Sequence, residues 1–600
     1  MIRNAVFRFL FLSFLVPAAA TMVFAQQPEG TLPLTGEVDF ASEMVDGIDR
    51  FLLRKIAESK SGRATLWNRD LSSAAAYNES IEPNRRRLMN ILGGRDERMS
   101  FDSPEVMATV DDRGVVAAND RFRAFAIRWP VLADPAPTAK SLPSIYGEGL
   151  LLVPQGTSVG NVVAIPDADQ TPEQICGFVD GIPPESQFAR RAVEAGFRVV
   201  VPALINRDRS KRNGRANLTN REYLYRSAFE LGRHVIGYEL QKVLAAVDWF
   251  ESDSDGADPR IGVIGYGEGG LLALYAAALD TRIDAACVSG AMGPREGCWQ
   301  EPLDRNVFGL LREFGGAELG AMILPRRLIT EVSNWPTVQL SGDGGAPAVI
   351  KTPSSQQVRD ELDAVSEVAA KLTEAGTSTG GITNVFGDTN SFCSDALPAF
   401  LAAVGGDDVD AAAIRRTATT RPDGVVDRTA AIQKRQQRQF EEIDRHNQAL
   451  LRESPFVRRE FLGKLDTSSV HAYEKSSQQY RETFSKDVIG EFQDALLPFK
   501  ARSRKTWDTD KWTGHEVVLD VFPDVFAYGV LLLPKNMKPG EKRPVVVCQH
   551  GLEGRPTDTF LDDHRAYHDF AAKLCERGFI TFAPQNPYIF QDRFRTLQRK

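Results

Sequence analysis

The chain has 600 residues, more than one hydrophobic core supports, so its length predicts two to four domains. Hydrophobic residues make up 42%, aromatic residues 9% and charged residues 25%, which is typical of globular protein. A formal net charge of -8 leaves no basic surplus to neutralise phosphates, so a general nucleic-acid binder is excluded and no nucleic-acid partner is predicted. The basic runs at 85–87 and 207–215 are expected to be solvated helix faces or loops.

The N-terminal 25 residues have the pattern of a secretory signal peptide. Arg3 and Arg8 precede the apolar run FLFLSFLVPAAATMVFA, which ends in small residues before Gln26. We expect cleavage near Ala25 and export to the periplasm or beyond. The alternative is an uncleaved anchor, which the 17-residue run only just permits. No later stretch is long and apolar enough to span a bilayer, so no membrane association is expected after cleavage.

The rest of the chain predicts a helical preface followed by alternating strands and helices. The preface covers 40–95, and the alternation indicates a sheet with helices on both faces. The predicted strands cover 149–153, 161–165, 197–201, 260–264, 283–288, 325–331 and 381–386. The predicted helices cover 187–195, 236–251, 268–279, 356–374 and 395–404.

The segment VIGYGEGGLLALYAAALD, residues 263–280, predicts a strand, a sharp glycine turn and a helix. Many hydrolases hold their nucleophile at such a turn, in the pattern Gly-x-nucleophile-x-Gly. Here the pattern places Gly267, which has no side chain, at the nucleophile position. Glu268 could supply a carboxylate nucleophile instead. The interpretation we favour is a first-turn residue that the helix dipole stabilises.

An internal repeat covers much of the chain. The segments at 146–154, 161–174 and 188–209 return at 528–534, 544–558 and 570–593. The offset is 382 for Tyr146 and Tyr528, 383 for Val162 and Val545, and 382 for Gly196 and Gly578. A second helical preface is expected at 428–500, because AYEKSSQQYRETFSKDVIG at 472–490 echoes AYNESIEPNRRRLMNILG at 76–93. The sequence therefore predicts two tandem copies of one plan.

The glycine turn resembles that of the α/β-hydrolase superfamily, nearest to the dienelactone hydrolase and acetyl xylan esterase group. Dienelactone hydrolases show Gly-Tyr-Cys-x-Gly-Gly there, and residues 265–270 keep everything except the cysteine. The resemblance implies an α/β fold, a mostly parallel sheet flanked by helices, and an ester-hydrolysing ancestry. It also implies a degenerate nucleophile elbow, made of Gly265, Gly267, Glu268, Gly269 and Gly270.

The resemblance places the catalytic histidine after the last strand of the sheet. No histidine lies between 235 and 445, and the loop FGDTNSFC at 386–393 offers only Asp388, Asn390 and Cys393. The catalytic residues are therefore unknown. We expect the first copy to have lost its triad.

In the second copy, VVVCQHGLEG at 545–554 resembles the loop that supplies half of an oxyanion hole. His550, Gly551 and Leu552 would border that pocket, with His550 shaping the loop. The first copy has Pro166-Asp167-Ala168 there. The repeat offset places the second elbow at 647–652, beyond Lys600, so we expect an incomplete second domain that could self-associate. Its last strand, GFITFAP at 578–584, is expected at an exposed edge.

The sequence predicts no cofactor and no metal, because the Walker, HExxH and CxxC patterns are absent. His564 and His568 are expected to lie on a solvated helix.

The expected function is an exported carboxyl-ester hydrolase-like protein, inactive in this form. The alternative is a binding or scaffolding protein whose degenerate pocket holds a small-molecule or carbohydrate ester. The predicted domains are a signal peptide (1–25), a helical preface with the first strands (26–139), a degenerate hydrolase-like domain (140–405), a linker with a second preface (406–512) and part of a second hydrolase-like domain (513–600).

Overall fold

A computed structural model describes residues 28–587, except for 109, 111–112, 137–141, 212–216, 255, 341–346, 387–391, 410–420, 423 and 553. The predicted signal peptide, Asp388 and Asn390 lie outside the described residues. The chain folds into two compact units: unit 1 contains the described residues up to Leu52 and from Phe492 onward, and unit 2 contains Leu53–Glu491. Within the described ranges, no helix has the length and apolar character needed to cross a membrane.

The helices account for both predicted prefaces and for the layers that cover the sheet. Short 3-10 turns lie at Arg63–Leu66, Pro184–Ser186, Cys298–Gln300, Leu303–Arg305, Gly406–Asp408, Leu462–Lys464 and Pro556–Thr559, and a π-helical turn at Phe484–Ile489. The α-helices are α1 Phe40–Gly62, α2 Ala74–Ser80, α3 Glu82–Ile91, α4 Pro172–Ile175, α5 Phe188–Glu194, α6 Asn220–Phe229, α7 Val235–Ser252, α8 Glu268–Leu279, α9 Leu310–Glu313, α10 Gly316–Ala321, α11 Ser355–Glu374, α12 Leu397–Gly405, α13 Thr429–Phe461, α14 Val470–Thr483 and α15 Phe570–Glu576.

The strands fall into two large sheets and two short hairpins. They are β1 Leu32–Pro33, β2 Glu105–Val106, β3 Val115–Ala118, β4 Phe122–Ala133, β5 Pro143–Pro154, β6 Asn161–Ile165, β7 Arg198–Pro202, β8 Arg209–Lys211, β9 Asn217–Thr219, β10 Ile261–Tyr266, β11 Ala285–Ser289, β12 Arg327–Glu331, β13 Val338–Gln339, β14 Val349–Ile350, β15 Ile382–Val385, β16 Arg502–Asp508, β17 Trp512–Phe522, β18 Val525–Pro534, β19 Val545–Val547 and β20 Ile580–Pro584.

Polar side chains set the starts of several helices. Thr219 accepts a hydrogen bond from the backbone N–H of Glu222 at the start of α6. Ser354 and Gln357 form a reciprocal capping box at the start of α11. Such side chains satisfy backbone donors that the first turn of a helix leaves without partners, so these boundaries follow from local sequence.

Unit 2 is built on a sheet with the strand order β15-β12-β11-β10-β6-β7-β5-β4-β2, with β3 beside β4. The neighbouring strands β15, β12, β11, β10, β6 and β7 are parallel to one another. Strand β5 pairs antiparallel with β7, and β4 pairs antiparallel with β5. The predicted α/β class is confirmed. The predicted strands and helices of residues 149–404 recur with boundaries shifted by a few residues. Strand β10, which leads into the glycine turn, lies near the middle of the sheet between β6 and β11.

Alternate residues of the central strands feed two apolar cores, one on each face of this sheet. In β6, Val163 and Ile165 join a core that includes residues of α7 and α8, such as Leu244 and Leu272. Val162 and Ala164 join a second core that includes residues of α5 and α12. Because side chains of a strand point alternately to its two faces, β6 is buried on both sides.

Helix α13 packs on this sheet. Arg435 makes two hydrogen bonds, of 2.9 and 2.8 Å, to the carboxylate of Glu173. Arg438 makes two, of 3.0 and 2.6 Å, to Glu148 on β5. The first part of the predicted second preface is thus a structural element of unit 2.

Unit 1 contains a sheet of order β1-β16-β17-β18-β20-β19. Its strands β17-β18-β20-β19 have the same order and pairing senses as β4-β5-β7-β6 of unit 2, so the matching sequence segments fold alike. The expectation that 578–584 would form the exposed edge is wrong. Strand β20 lies between β18 and β19, and β19 is the edge strand, because the chain crosses back over β19 through α15 to reach an interior position.

The expectation that both basic runs are solvated is also wrong for two arginines. Arg85 and Arg207 are each 4% exposed. Arg85 donates to the carbonyl oxygens of Ala278 and Met322, and Arg207 pairs with buried carboxylates. Both side chains are buried because partners distant in sequence satisfy their charge and donors.

Candidate active site

The glycine turn of unit 2 has the backbone geometry of a nucleophile elbow. Strand β10 ends at Tyr266, α8 begins at Glu268, and Gly267 between them has φ 58° and ψ -117°. Residues other than glycine adopt these backbone angles only under strain. At Gly269, a Cβ would overlap the carbonyl oxygens of Ile165 and Pro166, so a glycine is required for the close approach of α8 to β6.

The space above Gly267 is filled. A Cβ built on this residue would lie 2.5 Å from Oδ1 of Asp167 and 2.5 Å from Cγ of Pro336. Both distances are far below van der Waals contact, so a serine or cysteine here would displace its neighbours. The turn therefore leaves no room for a side-chain nucleophile at Gly267.

A carboxylate lies beside the glycine turn, where the resemblance would place an oxyanion hole. In α/β-hydrolases, the N–H of the residue after the nucleophile and an N–H of the loop after a neighbouring strand bind the developing oxyanion. Here the N–H of Glu268 donates a 2.9 Å hydrogen bond to Oδ1 of Asp167, in the loop after β6. Burial raises the pKa of Asp167, but the Arg207 guanidinium outweighs it, and the pKa lies below its usual value. Asp167 is therefore ionised at neutral pH.

Glu268 is fully buried, and three arginines contact its carboxylate. Arg207 and Arg221 each donate at 3.2 Å, and Arg305 also donates to it. Burial raises the pKa of Glu268, but the positive charges of Arg305, Arg221 and Arg207 hold it well below its usual value. Both carboxylate oxygens are engaged, so Glu268 is the centre of an ion network and is not poised to attack a substrate.

This ion network extends through the buried polar centre of unit 2. Each arginine around Glu268 also pairs with a second acid, which balances the buried charge. The additional pairs are Arg207 with Asp167 at 2.9 Å and with Asp169 at 3.0 Å, Arg221 with Glu239 at 2.8 Å and with Asp304 at 2.8 Å, and Arg305 with Glu301 at 2.7 Å.

The end of β12 carries an acid that sequence reasoning missed. Glu331 accepts hydrogen bonds from Ser289 Oγ at 2.5 Å, from the N–H of Asp395 at 2.9 Å and from that of Ala396 at 3.2 Å. Cys393 also donates its backbone N–H to this carboxylate. Burial raises the pKa of Glu331. The sequence signal that could have identified Glu331 is its position at the end of a strand two places from β10 in the sheet. Its hydrogen bonds hold the loop that leads into α12.

Cys393 lies in the loop after β15, where the resemblance places the catalytic base. It is fully buried, and burial raises the pKa of its thiol well above the usual value. A thiol in this state is a weak nucleophile and a weak metal ligand. Asp388 and Asn390 of the same loop lie outside the described residues.

The predicted oxyanion loop of the second copy lies after β19 in unit 1. His550 is 4% exposed, and its Nδ1 donates to the carbonyl oxygen of Gly551 at 2.7 Å. Burial lowers the pKa of His550, so its ring is neutral at pH 7. The N–H of Gly551 donates to the Tyr567 hydroxyl at 2.6 Å, whereas Leu552 is 64% exposed. The oxyanion role of these residues stays a prediction.

Within the described ranges, no group of three or more His, Cys, Asp or Glu side chains could hold a metal ion.

Comparisons with known proteins show which sequences resemble this chain. The family model "dienelactone hydrolase family" matches residues 174–292, which include the elbow. A Bacillus subtilis protein named as a hydrolase, YtaP, is 32% identical over 110 residues, which are 17% of this chain and 36% of that protein. The chain thus matches about a third of the length of this curated relative.

Two solved structures are also similar. An acetyl xylan esterase-type protein from Bacteroides fragilis has 15% identity and a TM-score of 0.36, and the match covers 52% of this chain and 75% of that one. A glucuronoyl esterase from Solibacter usitatus has 13% identity and a TM-score of 0.37, and the match covers 56% of this chain and 94% of that one.

The sheet and the family match describe what this protein is similar to. It has an α/β fold, and its residues 174–292 match the dienelactone hydrolase family model. The predicted resemblance to carboxyl-ester hydrolases is confirmed, and the tandem arrangement of two copies stays a prediction.

Proposed function

We propose that the hydrolase-type site of unit 2 is catalytically silent, in an exported protein of carboxyl-ester hydrolase ancestry. One observation carries this proposal: the N–H of Glu268, at the position of an oxyanion donor, is bound to the ionised Asp167, while Gly267 offers no nucleophile. During acyl transfer, negative charge develops on the carbonyl oxygen of the ester and must be stabilised by hydrogen-bond donors. An ester that approached this elbow would instead meet the fixed negative charge of Asp167 there.

The absence of a base supports the same proposal. The sequence has no histidine between 235 and 445, and the buried thiol of Cys393 stands in the loop that would carry one. A nucleophile needs a neighbouring base or a lowered pKa to attack at neutral pH. The described residues around the elbow provide no imidazole, and the groups whose pKa is lowered there, Asp167 and Glu268, are carboxylates held in ion pairs.

Acylation of the purified chain tests this proposal. The protein is incubated with p-nitrophenyl acetate and its intact mass is measured, with a heat-treated sample as control. We expect no acetyl adduct beyond that of the control. An adduct on a single residue of unit 2 that heat treatment abolishes would contradict the proposal.

Export is a separate part of the proposal. It rests on the pattern of residues 1–25, where Arg3 and Arg8 precede an apolar run that ends in small residues. Expression in a bacterial host followed by N-terminal sequencing tests it. A mature chain that begins at Gln26 in the periplasm or medium supports export, and a chain retained in the cytoplasm with its first 25 residues intact argues against it.

A binding function is the second candidate, and a groove in unit 2 favours it. The groove measures about 1350 Å³ and lies where β2 and β4 face the start of α13; its charged lining includes Glu105, Arg113, Arg128 and Lys434. The degenerate elbow is instead packed with its own ion pairs. Calorimetric titration with an acetylated xylo-oligosaccharide tests this candidate, and no heat of binding at millimolar ligand would argue against it.

A further inference from the structure

Two helical segments of unit 2 begin with the same hydrogen-bonded loop. The sequences DLSSAAAYNES at 70–80 and DTSSVHAYEKS at 466–476 are offset by 396 positions. In each, the N–H of the leading Asp donates to a Ser hydroxyl ten positions later, at 3.0 and 2.9 Å. In each, the N–H two positions after that Asp donates to its carboxylate at 2.9 Å, and the next Ser caps the helix at 3.1 Å. The two segments therefore share one local structure.

In the first segment, four side chains form a buried stripe. Tyr77, Arg85, Leu88 and Leu92, here called the α3 stripe, are 0%, 4%, 0% and 0% exposed. Tyr77 Oη donates to the carbonyl oxygen of Ala321 at 2.8 Å, where α10 ends.

Arg85 provides the second polar contact of this stripe. Its Nε donates to the carbonyl oxygen of Ala278 at 3.1 Å, in the last turn of α8. Carbonyl groups at a helix C-terminus lack partners within the helix and attract cations. The α3 stripe thus docks on the C-terminal ends of two helices of the hydrolase-type core.

In the second segment, the same stripe is exposed. The residues 396 positions later are Tyr473 and Arg481 on α14 and Phe484 and Val488 in the π-helical turn that follows it, here called the α14 stripe. Tyr473 is 42%, Phe484 57% and Val488 63% exposed. Arg481 is also exposed, and its side chain makes no hydrogen bond or ion pair within the described part of the chain. A phenol, a guanidinium and two apolar side chains are thus repeated in order, without the helix ends that cover the first set.

We propose that the α14 stripe is a docking surface for a second α/β-hydrolase-type core, which presents the C-terminal carbonyl groups of two helices as α8 and α10 do. The chain itself supplies the template, because the α3 stripe shows what covers this combination of side chains. Exposed apolar side chains that lie close together mark an interaction surface. The proposal does not depend on whether the unit 2 elbow is silent.

Unit 1, considered by itself, has an open sheet edge of the kind that an α/β-hydrolase-type core covers. Val545 and Val547 on the edge strand β19 are 60% and 64% exposed. The corresponding residues of β6 in unit 2, Val162 and Ala164, are fully buried. In unit 2, β10 pairs with the side of β6 that corresponds to the unpaired side of β19 in unit 1. In unit 2, strand β10 leads directly into α8. A core that contains a helix equivalent to α8 therefore also contains a strand equivalent to β10, which is the kind of strand that could pair with β19.

A chimaeric chain tests the proposal. The full 600-residue chain is extended with a second copy of its own residues 219–405, which places the added segment in register with the 382-residue repeat. Hydrogen exchange is then measured at the backbone amides of 470–489 in the original and extended chains, and light scattering gives the oligomeric state of both.

We expect exchange at 470–489 to slow about tenfold or more in the extended chain. Replacing Phe484 and Val488 with Asp should abolish this protection. Lys475→Asp should preserve it, because Lys475 lies on the opposite side of α14. Unchanged exchange in the extended chain, or an added segment whose own amides stay unprotected, would overturn the proposal. So would a 600-residue chain that is already dimeric through these residues, because in a second copy the ends of α8 and α10 are already covered by its own α3 stripe.

Discussion

The backbone N–H of Glu268 donates a 2.9 Å hydrogen bond to the carboxylate of Asp167. In an active hydrolase this N–H stays available for a substrate oxyanion. Here the acceptor is part of the protein, and Arg207 holds it in place with a 2.9 Å ion pair. The N–H of Glu268 and the carboxylate of Asp167 thus belong to one buried polar network beside the glycine turn.

The first prediction concerns the stability contributed by Asp167. Asp167→Asn should destabilise the protein by about 3 kcal/mol, because it removes one member of a buried ion pair. Asp169→Asn is the matched control, since Asp169 contacts the same Arg207 but its side chain is 50% exposed. The control should cost less than about 1 kcal/mol. Urea unfolding followed by tryptophan fluorescence measures both, and equal losses would contradict the buried-pair account.

The second prediction concerns pH. The pKa of Glu268 is lowered in the folded protein, because three arginines outweigh the effect of burial. The ionised Glu268 therefore stabilises the folded protein above the pKa of a glutamate in the unfolded chain, about 4. This contribution is lost as the pH falls below that value. The difference in urea midpoint between the wild type and Glu268→Gln should be larger at pH 7 than at pH 3. A difference that grows on acidification would show that the sign is wrong.

The third prediction concerns Glu331. Glu331→Ala should leave the backbone N–H groups of Asp395 and Ala396 without their acceptor, at a cost of about 2 kcal/mol. Amides of α12 should exchange faster in this variant, while those of α11 should keep their wild-type rates. If α12 keeps its protection, Glu331 does not hold the loop, and a role as a residual catalytic acid would need to be reconsidered.

The fourth prediction concerns the open edge of unit 1. The expected self-association stays a prediction, and β19 is the place where it would occur, because an edge strand leaves backbone donors and acceptors available. Val547→Lys should reduce any concentration-dependent increase in light scattering. Leu552→Lys is the control, because Leu552 is also 64% exposed but lies in the loop after the strand. An equal effect of both variants would point to general surface hydrophobicity.

The elbow shows how far local sequence can predict structure. An apolar run, a glycine turn and a helical run predicted a strand over 260–264 and a helix over 268–279, and the structure has Ile261–Tyr266 and Glu268–Leu279. These elements depend on residues that are adjacent in the chain. The network around Glu268 does not, because Asp167 and Arg207 lie 101 and 61 positions away from it. Periodicity could not bring them together, so Arg207 was expected to be solvated.

The second copy shows a different limit. The matched segments predicted which strands form, and β18, β19 and β20 are present. Their order across the sheet depends on the crossover through α15, which a linear comparison does not show. For that reason the exposed edge was assigned to 578–584, although it is β19. Exposure of Val545 and Val547 follows from this order.

The rate at which the purified 600-residue chain hydrolyses p-nitrophenyl acetate tests the central claim most directly. The account predicts a rate equal to that of a heat-treated sample, for the wild type and for His550→Ala alike. A clearly higher rate that survives His550→Ala and is lost in Glu268→Gln would contradict it, because a buried, fully paired carboxylate would then be the catalyst.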